Sequence, residues 1–238
     1  MSDNLQPRSA DGTTLGQPLY MPIKRRSFFM YAGATAGATA LVLAGCAKDS
    51  DPNIGTGPVS LGVGDVGLLN YAYALEQLEA AFYAKVVATP ATDFSANELL
   101  YFQEVAKHEA IHRDFLKSAI NRDAPGQLLQ DLTPVFTTID FTKRAEVLKA
   151  AQIFEDLGVS AYNGAGKLFR TAAYLVVAGQ IVSVEARHAA IIRDFVSLGT
   201  FADTADTNAL DLARTPAEVL PMVQPYVSQT LDGSKVGQ

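Results

Sequence analysis

The sequence predicts an all-α protein whose folded part is a four-helix bundle. Apolar residues recur at helical spacing in four long segments after about residue 62, and no segment alternates as a half-buried strand would. The first and second segments, like the third and fourth, are joined by short connections, whereas residues 123–140 form a longer link. A link of that length lets the chain run along the side of a bundle, so we expect two antiparallel hairpins joined by one crossover.

Local signals predict the limits of the first two helices. The first is expected over residues 65–88, with Asp65 as its N-cap and a proline two residues after its end. Ser95 and Glu98 form the capping-box pattern that opens a second helix. That helix is expected to run to about residue 121, before a segment rich in turn-forming residues.

The second half of the chain repeats this arrangement and then becomes irregular. The third and fourth helices are expected over residues 141–169 and 171–198. We take residues 62–199 as the four-helix domain. Residues 200–238 contain scattered prolines and predict an irregular C-terminal tail with at most one short helix.

The first 46 residues have the character of a targeting segment, not of a fold. Arg25 and Arg26 precede a weakly apolar Ala/Gly/Leu run, which ends at Cys46. The pattern resembles a twin-arginine signal joined to a lipoprotein cleavage site, at which Cys46 would receive a lipid. A transmembrane anchor is the alternative, but the run is short and rich in Gly and Ala. Residues 47–61, rich in Gly, Pro, Asp and Ser, would then form a flexible tether.

These signals predict an exported protein that a lipid holds at a membrane, in the periplasm or elsewhere in the cell envelope. Composition restricts its other partners. A net charge of -6 and a pI near 5.0 argue against nucleic-acid binding, which requires a clustered basic face. The single cysteine excludes an intramolecular disulfide and a thiolate metal site.

Each predicted helix carries a glutamate inside its apolar stripe; these are Glu76, Glu109, Glu155 and Glu185. A carboxylate in a bundle core is costly unless it is paired, protonated or bound to metal. Two of the three histidines, His112 and His188, follow such a glutamate by three residues. That spacing puts both side chains on one helical face, where one ion or two adjacent ions can bind them. The alternative, exposed ion pairs on solvated faces, does not explain why both pairs lie in apolar stripes.

The positions of the glutamates along the helices predict that they meet at one level. Each lies at a similar distance from the loop of its own hairpin, about 20 Å at a rise of about 1.5 Å per residue. Glu76 is preferred to Glu79 as the first-helix ligand because Glu79 lies about 4.5 Å nearer the hairpin. Four carboxylates balance two divalent ions, and oxygen and imidazole donors suit iron, manganese or zinc.

In each half of the bundle, one helix carries a glutamate and the next carries Glu-x-x-His. This pattern resembles the di-metal carboxylate site of the ferritin-like superfamily. The segments 75–83, 155–162 and 184–190 are most similar to the branch of plant desiccation-related proteins and their bacterial relatives. The resemblance covers about residues 62–199 and implies a ferritin-like four-helix bundle. It also implies six metal ligands, which are Glu76, Glu109, His112, Glu155, Glu185 and His188.

The resemblance implies roles for these and neighbouring residues. Glu109 and Glu185 would bridge two ions, and the other two glutamates would be terminal ligands. Tyr83 and Tyr162, each seven residues after a terminal glutamate, would line the site as hydrogen-bond or radical partners, or else be core tyrosines with satisfied hydroxyls. His108 precedes His112 by one turn and is expected at the surface or behind the ligands, in preference to binding metal itself. Three aspartates could orient the imidazoles from behind, although an ordinary position on the helix surface is the default for them: Asp114, Asp156 and Asp194.

Two functions of different classes fit these residues. The first is an exported ferritin-like protein whose di-iron or di-manganese centre reacts with oxygen or peroxide at the cell envelope, zinc being an alternative metal. The second is a non-enzymatic, metal-bearing protein of stress or desiccation protection, in which the metals hold the bundle together. A closed iron-storage cage is disfavoured, because a lipid anchor and a long tail fit it poorly. A homo-oligomer is compatible with the sequence.

Overall fold

The computed structural model describes residues 57–238, so Arg25, Arg26 and Cys46 of the predicted signal lie outside the described residues. The described chain is the expected all-α bundle of four long helices, which are α1 (Gly64–Ala88), α2 (Ala96–Asp123), α3 (Arg144–Gly166) and α4 (Ala172–Val196). Four short elements flank them, namely β1 (Val59–Ser60), α5 (Pro216–Val223), a 3₁₀ helix (Gln224–Tyr226) and β2 (Leu231–Asp232).

The four helices form two antiparallel pairs, α1 with α2 and α3 with α4. Arg144 at the start of α3 donates hydrogen bonds to Glu98 at the start of α2 and to the carbonyl of Phe195 at the end of α4. At the other end of the bundle, Asp65 near the start of α1 accepts hydrogen bonds from two N–H groups in the connection between α3 and α4. Helices α2 and α3 therefore start at the same end and run parallel.

The connection between α2 and α3 must run the length of the bundle, and it does so along α1. Two amide side chains of α1 hold it in place. Asn70 accepts a hydrogen bond from the N–H of Leu129, and Gln77 accepts one from the N–H of Leu132. These contacts satisfy backbone groups of a segment that has no helix to satisfy them. The crossover predicted from the length of the link is confirmed.

Residues 200–238 cover the crossover and the neighbouring face of α3. Val219 and Val223 of the short helix α5 are completely buried in the core. The carbonyl of Tyr226 accepts a hydrogen bond from the N–H of Val135 in the crossover. Strand β2 pairs in parallel with β1, which brings Val59–Ser60, at the end of the predicted tether, into the folded body.

The start of α1 differs from the prediction. Asp65 is not its N-cap, because the helix begins at Gly64, with φ +54°, after an extended Val63 that provides no side-chain cap. Asp65 is thus inside the first turn, where its carboxylate is available to the neighbouring connection. In contrast, the capping box on α2 is confirmed by reciprocal bonds between Ser95 and Glu98.

Within the described residues, α4 is long and apolar enough to cross a membrane by length and composition, a criterion that core helices of folded proteins also meet. Its contacts are those of a bundle helix. It packs along α3 and buries Ile181, Glu185 and Ile192.

Candidate metal centre

The four long helices bring all six predicted ligands together near their middles. One ligand atom from each residue lies within 4.8 Å of the others in two overlapping groups. The His112 position consists of Glu76, Glu109, His112 and Glu185. The His188 position consists of Glu109, Glu155, Glu185 and His188. The residues common to both groups are Glu109 and Glu185, an arrangement that allows these carboxylates to bridge two ions.

The cluster is buried and its polar atoms are incompletely paired. All four glutamates have 0% exposure. Apart from the Tyr71 hydroxyl, the buried side-chain N and O atoms that lack a hydrogen-bond partner in the described part of the chain all belong here: Glu76 Oε2, Glu109 Oε1, Glu155 Oε2, both Glu185 oxygens and His188 Nδ1. Their concentration at one place fits a site completed by a group outside the chain.

Both imidazoles turn Nδ1 toward the shared carboxylates. Nδ1 of His112 lies 2.8 Å from Glu185 Oε1 and 3.3 Å from Glu109 Oε2. Nδ1 of His188 lies 2.9 Å from Glu109 Oε1 and 3.5 Å from Glu185 Oε2. The donor set of carboxylate oxygens and imidazole nitrogens fits iron, manganese or zinc.

Tyr83 and Tyr162 connect the two helix pairs across the cluster. Tyr83 of α1 donates a hydrogen bond to Oε1 of Glu155 on α3. Tyr162 of α3 donates one to Oε1 of Glu76 on α1 at 2.5 Å. Each hydroxyl therefore holds one oxygen of a glutamate on the opposite helix and leaves the second oxygen, Oε2, without a partner in the described chain. The two tyrosines thus aim the carboxylates that were predicted to be terminal ligands.

Burial and charge shift the pKa values of the cluster in different directions. Burial raises the pKa of Glu155 to about 8 and that of Glu76 well above its usual value. Burial also opposes ionisation of Glu109, but the two neighbouring imidazoles outweigh it and lower the pKa of Glu109 to about 2. Burial alone would lower the pKa of His112 and His188, yet the surrounding carboxylates raise both to about 12. The carboxylates thus favour positive charge among them.

The three aspartates considered as imidazole partners have other contacts, so the structure favours the alternative, an ordinary position on the helix surface. Asp156 pairs with Arg193 on α4, and Asp114 contacts its neighbour Arg113. Asp194 accepts a hydrogen bond from a backbone N–H beyond the end of α4. The physical reason is angular. A helix turns about 100° per residue, so Asp156, one residue after Glu155, and Asp114, two residues after His112, point away from the ligand-bearing stripe. Asp194 is six residues after His188, which places it about 120° from the stripe.

Two further residues lie close to the cluster. His108 of α2 has Nδ1 at 2.9 Å from Nε2 of His188 on α4, which places it behind a predicted ligand. Glu79 is buried, and burial and the neighbouring carboxylates raise its pKa well above the usual value. It belongs to neither group of ligand atoms, and its Oε1 lies 3.0 Å from where a Cβ at Gly158 would stand. The structure thus groups Glu76, not Glu79, with the other five.

The cluster approaches the surface between α2 and α4. A cleft of about 360 Å³ lies there, and both ligand imidazoles line it. Their side chains keep 13% exposure for His112 and 5% for His188. Most of the other walls are apolar, with Arg187 as a cation at the lining. A second cavity of about 280 Å³, between α3, α4 and residues 201–212, is lined by none of the six ligands.

Residues 64–198 match the family model of the ferritin-like domain, a region that contains α1 to α4 and all six predicted ligands. A search of curated proteins found no match to the chain. The family match covers more than half of the sequence and coincides with the bundle in which the two ligand groups share Glu109 and Glu185. The chain therefore belongs to the family of ferritin-like domains.

Proposed function

We propose that this protein binds a pair of iron or manganese ions in the cluster and that the centre reacts with oxygen or peroxide. The observation that carries the proposal is the meeting of unpartnered, buried ligand atoms in two groups that share Glu109 and Glu185. Six protein ligands for two ions would leave coordination positions for a small molecule. A purely structural site would instead tend to close its coordination sphere, as structural zinc sites do.

The residues of the chain would divide the work of such a centre. Glu109 and Glu185 would hold the two ions close together, and each position adds one glutamate and one histidine. Tyr83 and Tyr162 hold the glutamates in orientation, and burial excludes bulk water from the carboxylates. The cleft between α2 and α4 would admit a small oxidant. A bound pair of iron or manganese ions would supply two electrons to that oxidant.

The test begins with metal content. Protein purified from its native host is examined by elemental analysis, and metal-free protein is titrated anaerobically with ferrous ion. Oxidation by oxygen and by hydrogen peroxide is then followed by stopped-flow absorbance. The site variant is Glu109→Gln with Glu185→Gln. The matched control is Asp114→Asn with Glu146→Gln, which removes the same formal charge from two exposed positions.

We expect the original protein and the control to bind two ions per chain and to form ferric absorbance rapidly. The site variant should lose both the bound ions and the rapid oxidation. Binding of fewer than two ions, or equal oxidation rates in the site variant and the control, contradicts the proposal. Slow oxidation together with a large metal-dependent rise in Tm would favour the second function, a metal-bearing protein of stress or desiccation protection.

The proposal places this centre at the cell envelope, on the strength of Arg25, Arg26 and Cys46 in the sequence. Replacing both arginines with lysine keeps the charge and is expected to block export, because a twin-arginine signal requires the arginine pair. Cys46→Ala is expected to release the exported domain from membranes. Fractionation of cells into cytoplasm, membrane and soluble envelope distinguishes the outcomes. Unchanged envelope localisation of the lysine variant contradicts the twin-arginine route.

A further inference from the structure

His108 and His188 form a direct contact between α2 and α4. Nδ1 of His108 lies 2.9 Å from Nε2 of His188, and the two ring planes differ by only 14°. On the other side of the His188 ring, Nδ1 lies 2.9 Å from Oε1 of Glu109. The ring of His188 is therefore held between the proposed metal position and a second imidazole.

The positions of the ring hydrogens follow from this geometry. A neutral imidazole carries one N–H, and the nitrogen that binds a metal ion has none. If His188 binds through Nδ1, its hydrogen is on Nε2, where it can be donated to Nδ1 of His108. His108 must then accept, so its own hydrogen is on Nε2. In the metal-loaded protein, in which the ion takes the place of the proton on Nδ1 of His188 and both rings are neutral, this is the arrangement that makes the hydrogen bond.

The His112 position has no equivalent contact. His108 precedes His112 by four residues on α2, and the residue four before His188 on α4 is Val184. An apolar side chain at that place cannot accept a hydrogen bond from the ring of His112. Among the described residues, no side chain forms a hydrogen bond with Nε2 of His112, whose ring is also the more exposed of the two, at 13% against 5%. The two halves of the bundle thus have similar predicted ligands, but they differ in the side chain that contacts the ligand histidine from outside the cluster.

We propose that His108 is a positioning residue that fixes the ring and tautomer of His188, so that the His188 position binds its ion more tightly than the His112 position. This inference rests on the proposed metal centre. A hydrogen-bond acceptor behind a metal-binding histidine typically changes metal affinity by roughly 10- to 100-fold. The chain would therefore load its two ions in order, with the His188 position first.

The test measures each position separately by competition of Zn²⁺ between the protein and a chelator. His112→Ala leaves the His188 position, and His188→Ala leaves the His112 position. His108→Ala is added to each of these backgrounds, and Lys107→Ala, an exposed neighbour on α2, is the matched control. His108→Asn is the rescue variant, because an asparagine Oδ1 can accept a hydrogen bond near the place of the histidine Nδ1.

We expect His108→Ala to weaken zinc binding roughly 10- to 100-fold in the His112→Ala background and to have little effect in the His188→Ala background. His108→Asn should restore most of the loss. The tautomer of His188 can be measured directly by ¹⁵N NMR of the zinc-loaded protein. The chain has only three histidines, so their ring nitrogens can be assigned. We expect a protonated Nε2 on His188.

The outcomes separate this inference from the proposed function. A protein that does not bind two ions contradicts the metal centre itself. A protein that binds two ions, with equal losses in both backgrounds or no loss in either, overturns the role of His108 and leaves the metal centre intact. Zinc bound through Nε2 of His188 likewise overturns it, because that nitrogen could not then donate to His108.

Discussion

At the scale of single residues, the cluster depends on tyrosines that reach across the bundle. Tyr83 and Tyr162 were predicted to line the site, and each lies seven residues after a glutamate on its own helix. The structure pairs each tyrosine with the glutamate of the other helix. These two hydrogen bonds link α1 to α3 twice, and each one satisfies an oxygen of a completely buried carboxyl group.

Replacing either tyrosine with phenylalanine should lower the free energy of unfolding of the metal-free protein. Tyr83→Phe and Tyr162→Phe each leave a buried carboxyl oxygen without its donor, which costs about 1–3 kcal/mol. The two losses should be similar because the contacts mirror each other. Tyr71→Phe is the control, since the Tyr71 hydroxyl is buried without a partner in the described chain and its removal should be neutral or stabilising. Urea denaturation measures all three, and equal effects would contradict the prediction.

At the scale of elements, the residue that caps a helix can also bind a neighbouring helix. Glu98 forms a capping box with Ser95 at the start of α2, and it also accepts a hydrogen bond from Arg144 at the start of α3. Burial alone would raise the pKa of Glu98, but the bonds from Arg144 and Ser95 outweigh it and hold that pKa below its usual value. The end of the bundle at which α2 and α3 begin therefore depends on one ionised carboxylate.

This depressed pKa predicts a pH-dependent contribution to stability. The stabilisation from Glu98 is complete above its unfolded-state pKa, about 4.3, and is lost as the pH falls through the lower folded-state value. Glu98→Gln should therefore lower the free energy of unfolding at pH 7 by about 1 kcal/mol, and the difference from the original protein should shrink below about pH 4. Denaturant titrations across this pH range provide the measurement.

Glu218→Gln is the matched control for this prediction. Glu218 forms the same capping box with Thr215 at the start of α5. Unlike Glu98, it is fully exposed and accepts no hydrogen bond from an arginine within the described residues. We expect a smaller loss from Glu218→Gln. A loss at Glu98 that stays constant across the pH range would show that packing, not charge, is responsible.

At the scale of the whole molecule, within residues 57–238, one side of the bundle is covered and the side between α2 and α4 is left accessible. The crossover and residues 200–238 pack over α1 and α3, whereas the cleft with both imidazoles lies between α2 and α4. Gly164 on α3 permits part of this covering. A Cβ at Gly164 would lie 1.8 Å from the carbonyl oxygen of Arg214. The backbone N–H of Arg214 also donates a hydrogen bond to the carbonyl of Ser160 on α3.

Gly164→Ala should therefore displace the segment around Arg214 and lower the free energy of unfolding by about 1–3 kcal/mol. Gly179→Ala is the matched control, because Gly179 is an exposed glycine of α4 with nothing within 4 Å of an added Cβ. There, the better helix propensity of alanine should stabilise the protein by about 0.5–1 kcal/mol. Urea denaturation should give opposite signs for the two substitutions. Two changes of the same sign would show that Arg214 moves aside without cost.

Much of this architecture could be predicted because it depends on spacing along one chain. Four apolar stripes predict four helices, and a long link predicts the crossover. The three-residue interval from Glu109 to His112 places both on one helical face whatever surrounds the helix. The six candidate ligands could likewise be found from sequence, since a buried carboxylate needs compensation and its position in an apolar stripe is a local property.

Other features depended on distances between residues far apart in sequence, which only the packing of helices determines. Three contacts are of this kind. They are the reciprocal tyrosine–glutamate hydrogen bonds between α1 and α3, the contact of His108 with His188, and the hydrogen bonds of Asp65 with the connection before α4. The docking of residues 200–238, whose short elements have little stability alone and gain it by burying valines against the bundle, is also of this kind. Periodicity tells which way a side chain points from its own helix. What it meets there is decided by the neighbouring helix, through its tilt, its height and the length of the side chains between them.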